Sequence, residues 1–108
     1  MGAQVLLTAD AVRDLEDIYA YIDEHDSPKK ADQFIERIEQ RLSALSDSSA
    51  IGRYLRELSV LGIREYREVF LKPYRIIYRV TGNKVYVMLI ADGRRDMQTM
   101  LERRLLQG

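Results

Sequence analysis

Arginine is the residue type through which this sequence could do chemistry. Arg75 and Arg79 fall on one face of an extended run, and Arg94-Arg95 and Arg103-Arg104 add two adjacent pairs. A guanidinium presents a planar fork of N–H donors that matches a phosphate or a carboxylate. Cleavage of RNA by its own 2′-oxygen needs a base, an acid for the leaving oxygen and cations for the crowded phosphate. The chain supplies mainly the cations, with Glu68 a carboxylate that could serve as base beside Arg75. Several of these residues also have a structural use: Glu68 and Arg75 can each be an ion-pair partner within the sheet, and Arg103 and Arg104 suit the negative end of a closing helix. His25, set among Asp23, Glu24 and Asp26 in a helix connection, reads as a solvated loop residue without a role. With no Cys and one His, thiolate and imidazole metal clusters cannot be assembled. No metal and no cofactor are expected.

The chain has 108 residues, which fits one domain spanning 1–108. Apolar residues make up 46% and charged residues 31%, a globular balance. No apolar run is long enough to cross a bilayer, and no cationic-then-apolar leader follows Met1. A cytoplasmic protein with no membrane partner is expected. The formal net charge of zero conceals an asymmetry: residues 1–50 carry 5 Lys/Arg against 11 Asp/Glu, and residues 51–108 carry 12 against 6. The halves stand at −6 and +6. Such a basic half attracts nucleic acid or an acidic protein segment, unless the two halves satisfy each other across the fold.

The elements that must position these arginines follow from periodicity. Gln4 to Leu7 reads as a short buried strand. Thr8 offers a cap, and Ala11, Leu15, Ile18 and Ile22 make one apolar helical stripe. Asp26-Ser27-Pro28 begins a second helix carrying Ala31, Phe34, Ile35, Ile38, Leu42 and Leu45, antiparallel to the first. Residues 46–62 show no clear periodicity and read as irregular. Three strands follow, around 64–70, 74–80 and 85–90, linked by Lys72-Pro73 and by Thr81-Gly82-Asn83-Lys84 as an antiparallel meander. Alternation in the middle strand sets Ile76, Tyr78 and Val80 against helices and Arg75, Ile77 and Arg79 on an open basic face. Met97, Met100, Leu101 and Leu105 then recur at helical spacing. The expected order is β-α-α-β-β-β with a short C-terminal helix, an α+β fold in which an antiparallel sheet packs on a helical hairpin.

Several local patterns in this order resemble the RelE/ParE superfamily of type II toxin–antitoxin toxins. They are Ala11-x-x-Asp14-Leu15-x-x-Ile18-x-x-Tyr21-Ile22, the second helix with Ala31 and Phe34, Gly62-Ile63-Arg64, Tyr74-Arg75-Ile76-Ile77-Tyr78, and Ile90-Ala91-Asp92-Gly93-Arg94-Arg95-Asp96. The resemblance implies a toxin neutralised by an antitoxin protein that lays a peptide segment over its surface. Within the superfamily, RelE-like members cut messenger RNA on the ribosome and ParE-like members block DNA gyrase. Arg75 and Arg95 match arginines of the RelE pattern, but Tyr66 and Glu68 stand where it has catalytic lysines, and Leu101 stands where it has a tyrosine. The resemblance is therefore closer to the ParE branch, used in plasmid stabilisation. It implies a gyrase inhibitor that works by binding and needs no catalytic residue. The expected target-binding surface is Arg75, Arg79, Arg94, Arg95, Arg103 and Arg104, and the expected antitoxin-binding stripe is Met97, Met100, Leu101 and Leu105. The alternatives are a ribosome-dependent ribonuclease using Glu68, Arg75 and Arg95, and a non-toxic relic that only binds its antitoxin. The sequence does not decide whether the chain self-associates.

Overall fold

Two hydroxyl groups set where the long helices begin. In the computed structural model, which describes residues 2–107, the Thr8 Oγ1 accepts the Ala11 N–H at 3.1 Å and opens α1, Ala9–His25. Ser27 Oγ accepts the Lys30 N–H at 3.1 Å and opens α2, Pro28–Asp47, with the proline in the first turn. There the missing proline N–H leaves no bond unmade. A strand, β1 (Gln4–Leu7), precedes them. The stretch expected to be irregular contains a two-residue strand, β2 (Arg53–Tyr54), and one helical turn, α3 (Arg56–Ser59). The meander follows as β3 (Tyr66–Leu71), β4 (Tyr74–Thr81) and β5 (Lys84–Asp92). Asp96 caps a final helix, α4 (Met97–Leu101), which continues into a wider π-type turn at Glu102–Leu106.

The strand order is β1-β5-β4-β3-β2. β3, β4 and β5 pair antiparallel as expected, with Gly82 at φ +58° in the two-residue turn between Thr81 and Lys84. A first central residue with positive φ matches the twist of such a hairpin. β1, however, pairs parallel with β5, so the sheet is mixed rather than all antiparallel. No tight turn joins these two strands, and the long intervening chain leaves the direction of β1 unconstrained.

Both faces of the sheet are covered, which corrects the expectation of one open basic face. Ala11, Phe34 and Ile38 of the helical hairpin pack on Leu71, Ile76, Val87 and Ile90, and Leu45 packs on Tyr78 and Val85. On the other side, Leu55, Leu58, Met97 and Leu101 close over Ile77, Leu89 and Ala91. The sheet residues explain this second layer, because Ile77 and Leu89 would otherwise face water. Met97 and Leu101 are 5% and 0% exposed. They are core residues, so the free chain does not present them as antitoxin surface; Met100 and Leu105 are half-buried against the same cluster.

One irregularity makes the two-sided packing possible. Ile77 stands opposite Leu89 while Tyr78 stands opposite Val87, leaving Met88 as an extra residue in β5. The bulge shifts the alternation, so that Val87 faces the hairpin and Leu89 and Ala91 face α4. At the other end of the sheet, the buried Tyr78 hydroxyl donates to the Ser49 carbonyl at 2.8 Å and accepts the Gly52 N–H at 2.9 Å. A Cβ on Gly52 would lie 2.5 Å from that hydroxyl oxygen, so only glycine allows the loop to approach so closely.

If α4 is part of the core, truncating its most buried residue must be expensive. Leu101→Ala is expected to lower unfolding free energy by about 2–5 kcal/mol in a urea titration. A loss below ~1 kcal/mol would mean that the helix is only loosely docked.

Candidate target-binding surface

β4 projects Arg75 beneath the second layer, where an isolated guanidinium could not remain charged without partners. It has two. Arg75 Nε donates to Glu68 Oε1 at 2.5 Å, and its two terminal nitrogens donate to the Glu57 carboxylate at 2.7 and 2.9 Å. Glu68 and Arg75 are only 1% and 9% exposed. Glu68 also accepts from Arg53 Nε at 3.3 Å. The bidentate bond from Arg75 is the largest influence on Glu57, holding its carboxyl at about 2 against an ordinary 4.5, although partial burial opposes the shift. Arg75 in turn is raised above its ordinary value, chiefly by the bond to Glu57. Each nitrogen of this guanidinium therefore donates to a carboxylate, and a phosphate approaching it would meet two carboxylates. The aliphatic stem of Arg75 also passes 2.9 Å from where a Cβ on Gly93 would lie, which ties the start of the post-β5 turn to the same side chain.

Asp14 of α1 forms a second knot. It accepts the Ile90 N–H at 3.0 Å and pairs with Arg104 through both guanidinium terminal nitrogens, one at 3.0 Å. Arg104 also donates to the Met88 carbonyl at 3.1 Å, the acceptor at the bulge. Its pKa is raised, first by the bond to Asp14. Arg104 lies in the last turn of the closing helix, as expected, and is also a strap holding that turn to β5 and α1.

The structure divides the six expected target-binding arginines. Arg75 and Arg104 are internal ion pairs. Arg94 is exposed but folded onto Asp92, donating through Nε at 2.9 Å and a terminal nitrogen at 2.6 Å. Its guanidinium bond holds the Asp92 carboxyl below its ordinary value. Arg79, Arg95 and Arg103 have no carboxylate partner among the described residues. Arg95 and Arg103 line one open depression of about 530 Å³ between β5 and α4, with Met100, Thr99 and Asp96 in its walls. Arg95 also borders a second depression of about 450 Å³, shared with Tyr21, Tyr74 and Arg94. Arg75 borders neither of these, so Glu68 and Arg75 do not meet Arg95 across a common cleft. Arg79 lies elsewhere, at the far end of β4. Sequence reasoning missed Glu57, although Leu55 and Leu58, three residues apart, marked one buried helical turn. It also missed the Asp14–Arg104 pair, whose partners are separated by 90 positions.

The Glu57 shift carries a pH dependence. Its carboxyl is depressed in the folded chain, so its stabilisation is complete above pH 4.5 and is lost as pH falls from there towards about 2. Glu57→Gln is expected to cost about 1–3 kcal/mol at neutral pH. It should also flatten the acid limb of a stability–pH curve measured by urea unfolding; an unchanged acid limb would show that Glu57 does not carry this charge pair.

The family described as "ParE toxin of type II toxin-antitoxin system, parDE" matches residues 5–97. Toxin ParE3 of Caulobacter vibrioides is 29% identical over 98 residues, covering 91% of this chain and 94% of that protein. A solved structure titled "Chromosomal ParDE TA system from P. aeruginosa" superposes with a TM-score of 0.71 at 21% identity, covering 83% of this chain and 95% of that one; at this identity it speaks for the shared fold. With the match running from β1 to the first residue of α4, the chain belongs to the ParE toxin family of type II toxin–antitoxin systems.

Proposed function

We infer that this toxin inhibits DNA gyrase by binding it, and that a cognate antitoxin neutralises it. The observation that carries the binding mode is the closed ion-pair cluster of Glu57, Glu68 and Arg75. The guanidinium best placed to hold a scissile phosphate is already neutralised, and the carboxylate best placed as a base is engaged by Arg75 and Arg53. A ribonuclease built on Glu68, Arg75 and Arg95 would need those pairs to open. Of the three expected arginines without a carboxylate partner among the described residues, Arg95 and Arg103 line an open depression with apolar and polar walls, which suits docking against a folded, acidic or DNA-bearing target.

On this reading the poison adds no bond-making group of its own; gyrase supplies the chemistry, and the toxin stabilises its cleaved-DNA state. Met100 and Leu105 are the members of the expected antitoxin stripe that keep some exposure, and Met100 borders the Arg95 depression. An antitoxin segment seated there would cover the same surface, so occlusion accounts for neutralisation.

Purified wild-type chain is expected to inhibit gyrase supercoiling, and Arg95→Ala and Arg103→Ala should each weaken inhibition about fivefold, the worth of one exposed charge contact. Added antitoxin should restore supercoiling. Full inhibition by both folded variants would remove this depression from the target interface.

A further inference from the structure

The helical hairpin leaves an unfilled corner at its elbow, where α1 gives way to α2 beside the turn between β3 and β4. Lys30, Gln33, Phe34 and Arg37 fall on one stripe of α2, spaced three, one and three residues apart. Contacts fix which way that stripe faces. Phe34 meets the Tyr74 ring edge-on with 5.1 Å between centres, and one turn beyond Arg37 the Arg41 Nε donates to the Phe70 carbonyl at 2.9 Å. The stripe therefore looks onto the end of β3. Between it and the turn lies a depression of about 360 Å³, within the size range of small-molecule sites.

Its floor is apolar: Phe34 and Leu71 are buried, and Ile22 and Tyr74 pack against the same cluster. Its rim is cationic, with Lys30, Arg37 and Lys72 against Asp26 as the only carboxylate. Lys30 takes Asp26 at 3.5 Å. That leaves Arg37 and Lys72 without a carboxylate partner among the described residues. The helix itself gains nothing from this arrangement, because Arg37 and Arg41 stand four residues apart, a like-charge spacing that works against helix formation. The concentration is also local. Residues 1–50 carry 5 Lys/Arg against 11 Asp/Glu, yet Lys30, Arg37 and Arg41 all gather along this edge of α2. A bare inorganic anion would leave the apolar floor uncovered, and a neutral hydrocarbon would leave the two cations unmet. A ligand with both an apolar body and a negative end satisfies floor and rim together.

We propose that this corner binds a small amphiphilic carboxylate, with its ring or short hydrocarbon body on Phe34, Leu71 and Tyr74 and its negative end at Arg37 and Lys72. The site shares no residue with the Arg95–Arg103 depression. Its test does not involve gyrase, so it stands or fails separately from the inhibition proposed above.

The test is titration of the full-length toxin, free of antitoxin, with naphthoate, with naphthylmethanol and with acetate, read by NMR at the Phe34 and Tyr74 rings and at the Arg37 Nε–H. Naphthoate is expected to move all three signals together. The neutral alcohol and the bodiless acetate should leave them in place at the same concentrations. Arg37→Gln and Lys72→Gln should each weaken naphthoate binding about fivefold, the worth of one exposed charge contact. Both side chains are exposed, so the unfolding midpoints of these variants are expected to match the wild type. A peptide ending in phenylalanine, as free acid and as amide, separates the sources of such a carboxylate. Tighter binding of the free-acid peptide than of naphthoate would overturn the small molecule in favour of a protein's carboxyl terminus. Equal binding of naphthoate and the alcohol, undiminished binding by both variants, or no response to naphthoate would overturn the site.

Discussion

A guanidinium buried in a sheet must be met by carboxylates, and the demand made by Arg75 organises much of this molecule. It pairs with Glu68 of the neighbouring strand and with Glu57 of a one-turn helix whose Leu58 is also buried. Fixing Glu57 places Leu55 and Leu58 under the second face of the sheet, where they join Met97 and Leu101 over Ile77 and Leu89. The Arg75 stem also limits position 93 to glycine by close approach. The turn that carries Arg94 and Arg95 is therefore positioned by the same residue. Electrostatic closure in the interior and presentation of charge outside are consequences of one side chain.

Asp14 and Arg104 complete the frame from the opposite direction. The bulge at Met88 turns Leu89 and Ala91 towards α4, and it leaves a carbonyl that Arg104 meets while pairing with Asp14. First helix, last strand and C-terminal turn are thus joined at one place, and the depression holding Arg95 and Arg103 lies beside it. The acidic first half and basic second half of the sequence do satisfy each other here, through a pair of partners 90 positions apart. They do so only in part: Arg79, Arg95 and Arg103 keep their charge without a carboxylate partner among the described residues.

What could be read in advance was what depends on local patterning. The hairpin of α1 and α2 followed from apolar stripes and from the caps at Thr8 and Ser27, and the meander followed from alternation and from Gly82 in its turn. What escaped depends on contacts distant in sequence. The parallel seat of β1 is set by tertiary packing, since no short turn dictates it. The second layer was invisible because the apolar stripe of α4 looks the same whether it closes a core or meets a partner; the burial of Leu101 decides between them. Counting arginines could not assign their roles, because a charge count does not show which carboxylates lie across the fold. Arg75 and Arg104 were absorbed into structure, and Arg64 and Arg67 gained places over the Tyr54 ring that no spacing announced.

Membership of the ParE family and an internally neutralised Arg75 support the same account, in which the toxin acts by occupying a target rather than by cutting RNA. The most direct measurement incubates the purified chain in parallel with gyrase and plasmid DNA, and with ribosomes holding a message. The account predicts accumulation of cleaved DNA bound to gyrase while the message stays intact. A cut message with undisturbed gyrase would contradict it.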